Sequence, residues 1–468
     1  MKIRLSLTVL LVTMAAGSSV LDAADWSRFR GPNGSGVSTD EAPLPTEWSE
    51  TKNLKWKVEL PGPGSSCPIV VGEKVFVTSW TGYADGNGEG SMEELERHLI
   101  CLDRKTGKEL WKKSVTAKLP EDTYRGMFAE NGYATHTPVS DGEVVIAFFG
   151  KSGVHAYDMD GKELWNANVG TELDRRGWGS ASSPVLYKNL VIVTASVENH
   201  AVVGLDKKTG KEVWKQEAEG FGSTWGTPVL VDVEGGTELV IGVPFEFWAL
   251  NPDTGKLLWY CEALGTNSMC SSVVAHDGIV YGIESGPGGG GAIAVKAGGK
   301  GDVSKTHVVW RGSDSSRVGT PLIHGEKMYF VNGGVVGCLD AKTGKRVYQG
   351  RLSGGTPAAA SGGNNGEARP SEEGGRPSFG GQGGGRTRGG RGGYGGGQDY
   401  SSAVIADGKL FYARRGGDVF VVKLGDEFEQ LASNRFESSA GDFNAAPAVS
   451  DGQLFIRSSK TLYCVSAE

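Results

Sequence analysis

The chain has 468 residues, 74 of them glycine, about twice the usual share. Lys and Arg number 48 against 55 Asp and Glu, a formal net charge of −7, so the basic footprint of a nucleic-acid partner is absent. Past the N-terminus no run approaches the ~18 apolar residues of a membrane helix, and no transmembrane segment is expected.

The first elements are not part of a fold. Lys2 and Arg4 precede an apolar run from Leu5 to Ala16, and small residues lead to Ala23 and Ala24. That order is the pattern of a cleaved secretory signal peptide over residues 1–23, and it predicts a periplasmic or secreted protein. No cysteine stands directly after the apolar run, so a lipid anchor is not expected. Residues 24–45 read as an N-terminal extension and residues 46–468 as the folded body.

One phrase then recurs. It reads CLDRKTGKELW ending at Trp111, AYDMDGKELW at Trp165, GLDKKTGKEVW at Trp214, ALNPDTGKLLW at Trp259 and CLDAKTGKRVY at Tyr348. Degenerate copies cover Ala294 to Trp310 and Val421 to about Leu431. A second column of short Ser/Thr-rich words stands at Pro68, Pro138, Pro184, Pro228, Val273, Pro321, Ala403 and Pro447. The steps between these positions are 70, 46, 44, 45, 48, 82 and 44. Five are nearly equal and two carry insertions, so there are eight units.

Each unit offers two apolar strands, then a third strand, a tight turn and a fourth. In LDxKTGKxxW the Asp side chain can bond turn amides, glycine supplies the left-handed residue, and the aromatic returns to the seam between units. A period near 45 with four strands per unit predicts a β-propeller. The last unit stops at LYCVSAE without its fourth strand, and NLKWKVEL near the N-terminus supplies one, with Trp56 in the tryptophan place. The expected fold is therefore all-β: an eight-bladed propeller of four-stranded antiparallel blades. The strand Asn53–Leu60 completes the last blade and closes the ring, which removes exposed sheet edges.

Two insertions interrupt the pattern. Residues 353–398 hold 19 glycines, five arginines and three glutamates among 46 residues, too little apolar surface to offset ordering entropy. A disordered surface loop is expected there, dispensable for folding, although TRGGRGGYGGG is similar to RNA-binding tracts. In the first blade, TGYADGNGEGSMEELERHL reads as a surface loop whose MEELERH part could turn into a short helix.

The six cysteines include no CxxC and no adjacent pair. Cys101, Cys338 and Cys464 fall at like places in the repeat, as small buried side chains. Only Cys261 and Cys270 are near in sequence, and a bridge between them is not favoured.

The repeated phrase resembles the tryptophan-docking repeat of the pyrroloquinoline-quinone (PQQ) propellers, over residues 46–468. That superfamily holds quinoprotein alcohol dehydrogenases and the outer-membrane assembly factor BamB, and the opening DWSRFRGPNGSGV is similar to BamB-like repeat proteins. The resemblance implies docking roles for Trp56, Trp111, Trp165, Trp214, Trp259, Trp310 and Tyr348. It also implies what a dehydrogenase would carry: adjacent cysteines beside the quinone, an Asp base and a Glu/Asn/Asp calcium site. No Cys-Cys pair and no CxxCH haem motif occur here.

Propeller ligands commonly sit in the funnel formed by loops entering the innermost strands. Those loops supply His136, Arg175, Arg176, Trp178, Trp225, Met269, Arg317, Tyr400 and Asn444, with Glu246 in an unusual VPFEFW run and Arg414 and Arg415 at an inner hairpin. Tryptophans and arginines facing one funnel could hold an anionic or aromatic ligand by stacking and bidentate bonds. The alternative is that each plugs the channel and bonds backbone carbonyls. The seven histidines show no ligand spacing, so no metal site is expected. Serine words such as Ser271-Ser272 lack a G-x-S-x-G elbow and read as architecture.

Three readings follow. The first is a monomeric, non-catalytic exported scaffold that binds envelope or secreted proteins and peptides, BamB-like, without a cofactor. The second is a PQQ-dependent oxidoreductase of alcohols or sugars with PQQ and calcium. The third is a carbohydrate or cell-surface adhesion module.

Overall fold

A computed structural model describes residues 25–86, 90–124, 132–174, 177–286, 288–354, 398–436 and 441–467. The expected signal peptide, most of the glycine-rich insertion, and Arg175 and Arg176 lie outside these residues.

Among the described residues eight four-stranded antiparallel sheets follow one another around a ring, each running from an innermost to an outermost strand, and the fourth gains a short fifth strand in parallel. Blade 1 spans Ile69–Val71 to Glu109–Thr116, and blade 7 ends on Glu429–Arg435. In blade 8 the outermost strand is Leu54–Glu59, paired antiparallel with Thr461–Ser466. The ring therefore closes as the sequence predicts. The MEELERH stretch differs: only Met92–Glu94 forms a 3-10 turn, and Glu96 already begins the third strand of blade 1. An eight-residue pairing with the neighbouring strand outweighs the local helix preference.

The repeated phrase builds the seams. Asp103 accepts bonds from the Thr106 amide (2.8 Å) and hydroxyl (2.7 Å), and Gly107 turns the chain at φ 70°. Asp206 and Asp340 do the same with Thr209 and Thr343. Five of the seven docking rings lie over the turn glycine of the next blade and donate their indole N–H to a carbonyl there. Trp56 bonds Arg104, Trp111 Met159, Trp165 Lys207, Trp214 Pro252 and Trp310 Ala341, at 2.8–3.1 Å. Only glycine fits beneath such a ring: a Cβ on Gly255 would stand 2.4 Å from a Trp214 carbon. Across the sheet from each docking aromatic stands a small residue. Cys101, Cys338 and Cys464 face Trp111, Tyr348 and Trp56, where other blades place Ala or Gly. All six cysteines are free.

The Ser/Thr words form a girdle around the channel. The Thr137 amide donates to Ser183 Oγ, Ser183 to Thr227, Thr227 to Ser272, Ser272 to Thr320 and Thr320 to Ser402, each at 2.9–3.1 Å. Cys67 donates to Thr137 and its Sγ accepts from Ala446, so a thiol and a methyl occupy the last two places. A hydroxyl is wanted at this position because it satisfies the neighbouring blade's buried amide, which explains the recurrence of these words.

The N-terminal extension crosses the face that carries the turns between first and second strands. Trp26 pairs with Val70 of blade 1, and Ser27 accepts from Ser140 of blade 2. Asn33 bonds Leu230 of blade 4, and Gly36 and Ser38 bond Ile405 of blade 7. Arg28 and Arg30 reach inward to the carbonyls of Pro228 and Pro321. Further on, Leu44 and Trp48 pack on blades 7 and 8, and Trp48 lies beside Phe411. The extension thus ties together blades that the ring holds apart.

Candidate functional site

The opposite face carries the funnel. Its most built region lies where blades 1, 2 and 3 meet. Arg97, at the start of a blade 1 strand, donates to the Tyr133 carbonyl at 3.0 Å and to Glu121 at 2.5 Å. Lys151, in the hairpin Gly150–Ser152 of blade 2, lies 2.7 Å from Asp122 and 3.7 Å from Glu121. All four side chains are buried, and two of the three ion pairs share Glu121. Paired and bonded, such charges are tolerated; singly they would each cost several kcal/mol, about 3–5 on losing one partner.

His136 and Glu198 complete this cluster. The His136 ring lies against Phe148, 4.5 Å between centroids, and its Nε2 stands 3.1 Å from Ser180 Oγ. Ser180 in turn donates to Glu198 Oε1. The second Glu198 oxygen is buried without a partner among the described residues. Burial raises the Glu198 carboxyl to about 7 and lowers the His136 imidazole to about 3. Both groups are therefore neutral in mildly acidic solution. A cavity of about 20 Å³, room for one water, is lined by these residues and by Tyr124 and Tyr133. Because the serine stands between His and Glu and gives its proton to the carboxylate, this is not the order that activates a serine nucleophile.

The other funnel candidates do not converge. Trp178 and Trp225 pack on each other, 5.1 Å between centroids and tilted by 33°. Trp225 Nε1 also donates to the Gly179 carbonyl at 2.6 Å. Glu246 accepts from Trp248 Nε1 in its own strand, and Arg317 donates to the Ser285 carbonyl at 3.4 Å. Arg414 lies 3.8 Å from Asp399, and Arg415 bonds Asp442 at 2.9 Å. Tyr400 and Asn444 lie in the loops entering blades 7 and 8, half-buried and buried. Met269 is 1 % exposed within the core of blades 4 and 5, away from the funnel where its position in the sequence had placed it. Its backbone pairs with Thr224 in the loop that enters blade 4.

Arg97, Glu121, Asp122, Lys151 and Glu198 carry no period or motif, and the sequence reading missed them. The available signal was a lysine and a glutamate inside apolar hairpin words, AFFGKSGV and VTASVENH.

A quinone with calcium needs acidic and amide ligands gathered at one point. Among the described residues no group of three His, Cys, Asp or Glu side chains could hold a metal ion. The two funnel tryptophans cover each other.

Comparison with known proteins decides the family. A family model described as outer membrane protein assembly factor BamB matches residues 91–219 and 248–384, more than half of the chain. The chain belongs to this family. It is similar to the outer membrane protein assembly factor BamB of Burkholderia pseudomallei, 24 % identical over 196 residues. That match covers 42 % of this chain and 41 % of the relative, so the chain spans about two fifths of the relative's length. Among solved structures, BamB from Moraxella catarrhalis aligns with a TM-score of 0.55 at 10 % identity, over 88 % of this chain and 99 % of that one. The quinohemoprotein alcohol dehydrogenase of Comamonas testosteroni aligns with a TM-score of 0.56 at 11 % identity, over 94 % and 80 %. At such identities the likeness is one of fold, shared by BamB and an alcohol dehydrogenase. No helix among the described residues is long and apolar enough to cross a membrane.

Proposed function

We propose that this BamB-family propeller is an exported, monomeric, non-catalytic scaffold that binds extended segments of envelope or secreted proteins along its outer strands. The observation that carries the reading is a row of exposed aliphatic side chains at one place in the repeat. Leu110, Leu164, Val213, Val309 and Val347 directly precede the docking aromatics and are 38–54 % exposed. They stand on edge strands, where unpaired backbone groups invite another strand. Blade 4 supports the same mode internally: its outer strand already pairs, in parallel, with Gly301–Asp302 of its own chain. Binding of this kind calls on no cofactor, and assembly of outer-membrane proteins is one task that it would serve.

The test is site-specific photo-crosslinking in the producing cell, with the probe at position 164 or 213 and, as a control, at position 73. Discrete adducts from the rim positions alone, lost in the double variant Leu164→Lys/Val213→Lys, are the expected result. Titration with PQQ and calcium runs beside it. Saturable tryptophan quenching with a raised Tm would overturn the reading in favour of a quinoprotein.

A further inference from the structure

The seam between blades 4 and 5 is open at its outer edge. In blade 3 the turn between third and fourth strands covers residues 207–211. In blade 5 it runs from 297 to 307 and swings out, so that Gly301–Asp302 pairs with Trp259 and Tyr260 of blade 4. A groove of about 620 Å³ is left at its base, a volume within the ~300–1,000 Å³ of pockets that hold small ligands. Asp232 and Glu234 line it from the first turn of blade 4 and Asp277 from that of blade 5, with Ala297, His307 and Val309. Against these three carboxylates stands one lysine, Lys296, which makes no ion pair with them among the described residues.

Other seams show what stands beside such acids. Arg104, Lys207, Ala297 and Ala341 occupy one place in the repeat, because each donates its backbone N–H to the first turn of its own blade at 2.8–2.9 Å. At seam 2/3 the Lys207 ammonium reaches across to Asp141 of blade 2 at 2.5 Å, with Glu143 4.0 Å away. At seam 8/1 the Arg104 guanidinium bonds the Ser450 carbonyl at 2.8 Å and lies 3.7 Å from Asp451. Seam 5/6 has Ala341 there, and its regular turn stays under Trp310. At seam 4/5 both the cation and the turn are missing. Asp232 accepts the Thr237 hydroxyl of its own hairpin at 2.8 Å, and among the described residues no ion pair reaches Asp232 or Glu234. We propose, resting on the strand-edge binding described above, that this groove receives a lysine or arginine side chain of an extended partner segment. That cation takes across the seam the place that Lys207 fills from within the chain, and its charge meets acids that lack one. Val309 belongs both to the exposed aliphatic row and to the groove lining, so a segment paired with the outer strand of blade 5 brings its side chains to these acids.

The experiment uses the full folded protein and two fluorescein-labelled peptides of Ser, Thr and Val, alike except for lysine or norleucine at the centre. By fluorescence anisotropy at low salt the lysine peptide should bind about 5- to 10-fold tighter, and the preference should shrink as sodium chloride rises. Asp232→Asn/Glu234→Gln should remove the preference without changing Tm, since both side chains are exposed. Ala297→Lys should remove it as well, by supplying the cation from within. A lysine peptide that binds no tighter than the norleucine one, or a preference that survives in Asp232→Asn/Glu234→Gln, would overturn the proposal. In the producing cell, a photo-crosslinking probe at position 309 should give adducts that the same double variant loses, while those at position 164 persist. Adducts at 164 with none at 309 that depend on charge would overturn the groove alone. Adducts at neither position would overturn the strand-edge reading with it.

Discussion

Seams 3/4 and 4/5 meet the same requirement by different means. At the first, Trp214 of blade 3 covers Gly255 in the next blade's turn and donates to the Pro252 carbonyl at 3.1 Å. At the second, the blade 5 turn is lengthened and swings out to pair with blade 4, so Trp259 has no such turn to cover. Its N–H goes instead to Glu238 Oε2 at 2.8 Å, and the same oxygen accepts the Gly298 amide at 3.1 Å. Trp259 is nevertheless fully buried. The seam therefore needs a large ring in this place, whereas the acceptor for its N–H can come from any element within reach.

The strongest way to break this comparison is to remove the ring. Trp214→Ala should cost about 3–5 kcal/mol in urea unfolding, the usual range for a buried aromatic, and Trp259→Ala a similar amount. A loss below about 1 kcal/mol at either would mean that the ring does not hold its seam. The glycines sharpen the difference. Gly255→Ala should approach the cost of Trp214→Ala, because its new Cβ meets the ring at 2.4 Å and φ is 71°. Gly298→Ala has φ 87°, but its nearest neighbour stands 3.7 Å away in Val233. It should cost only the left-handed backbone penalty, about 1–2 kcal/mol.

These seams were legible in the sequence because they repeat. The ring closure, the turn chemistry of Asp103 and the small residue opposite each aromatic all sit on the period. The Ser/Thr words were also visible, but their bonds were not. That Thr137 satisfies the Cys67 amide depends on the twist between neighbouring blades, which no local pattern records. What the sequence hid arises once only. Arg30 reaches Pro321 across 291 residues, and the Arg97–Glu121 and Lys151–Asp122 pairs join loops of different blades. Non-repeated contacts leave no periodic trace, so the funnel was read by position, and Met269 was misplaced for that reason.

The upper pocket extends the contrast from geometry to titration. Glu198, ordinarily near 4.5, is held at about 7 by burial, so the folded state keeps a proton that the unfolded chain loses. Its contribution to stability therefore falls as pH rises from 4.5 to 7. His136, ordinarily near 6.5, is held at about 3 by burial and the Arg97 charge, so its contribution falls as pH drops from 6.5 to 3. The two slopes cancel between 4.5 and 6.5 and leave a plateau. Glu198→Gln removes one of them. The difference in stability between native protein and variant should change by about 3 kcal/mol across pH 4.5 to 7, in favour of the variant at the alkaline end. A difference independent of pH would show that Glu198 is charged in the fold.

A smaller effect tests the substituted acceptor. Glu238→Gln keeps an oxygen within reach of both Trp259 and Gly298 and should be nearly neutral. Glu238→Leu leaves two buried N–H groups without a partner and should cost about 1–3 kcal/mol for each donor stranded. Equal effects from the two changes would mean that the Glu238 bonds are incidental to the seam.

The smallest expected effect comes from seam 6/7, where Tyr348 stands in the tryptophan place. One seam earlier, Trp310 donates to the Ala341 carbonyl at 2.8 Å, so its polar atom is satisfied. The turn of blade 7 lacks the TGK form and presents Phe428, whose ring lies 6.3 Å from that of Tyr348. Among the described residues the Tyr348 hydroxyl is buried there without a hydrogen-bond partner. Deleting it removes a desolvated group and keeps the ring, so Tyr348→Phe should leave stability unchanged or raise it by up to about 1 kcal/mol. Trp310→Phe removes a bond that is made and shrinks the ring, so it should lower stability by about 1–3 kcal/mol. Opposite signs from two changes to phenylalanine at one repeat position would separate what the ring does from what its polar atom does. A loss above about 1 kcal/mol in Tyr348→Phe would show instead that the hydroxyl bonds a group across the seam, and the 6/7 seam would then join the regular ones.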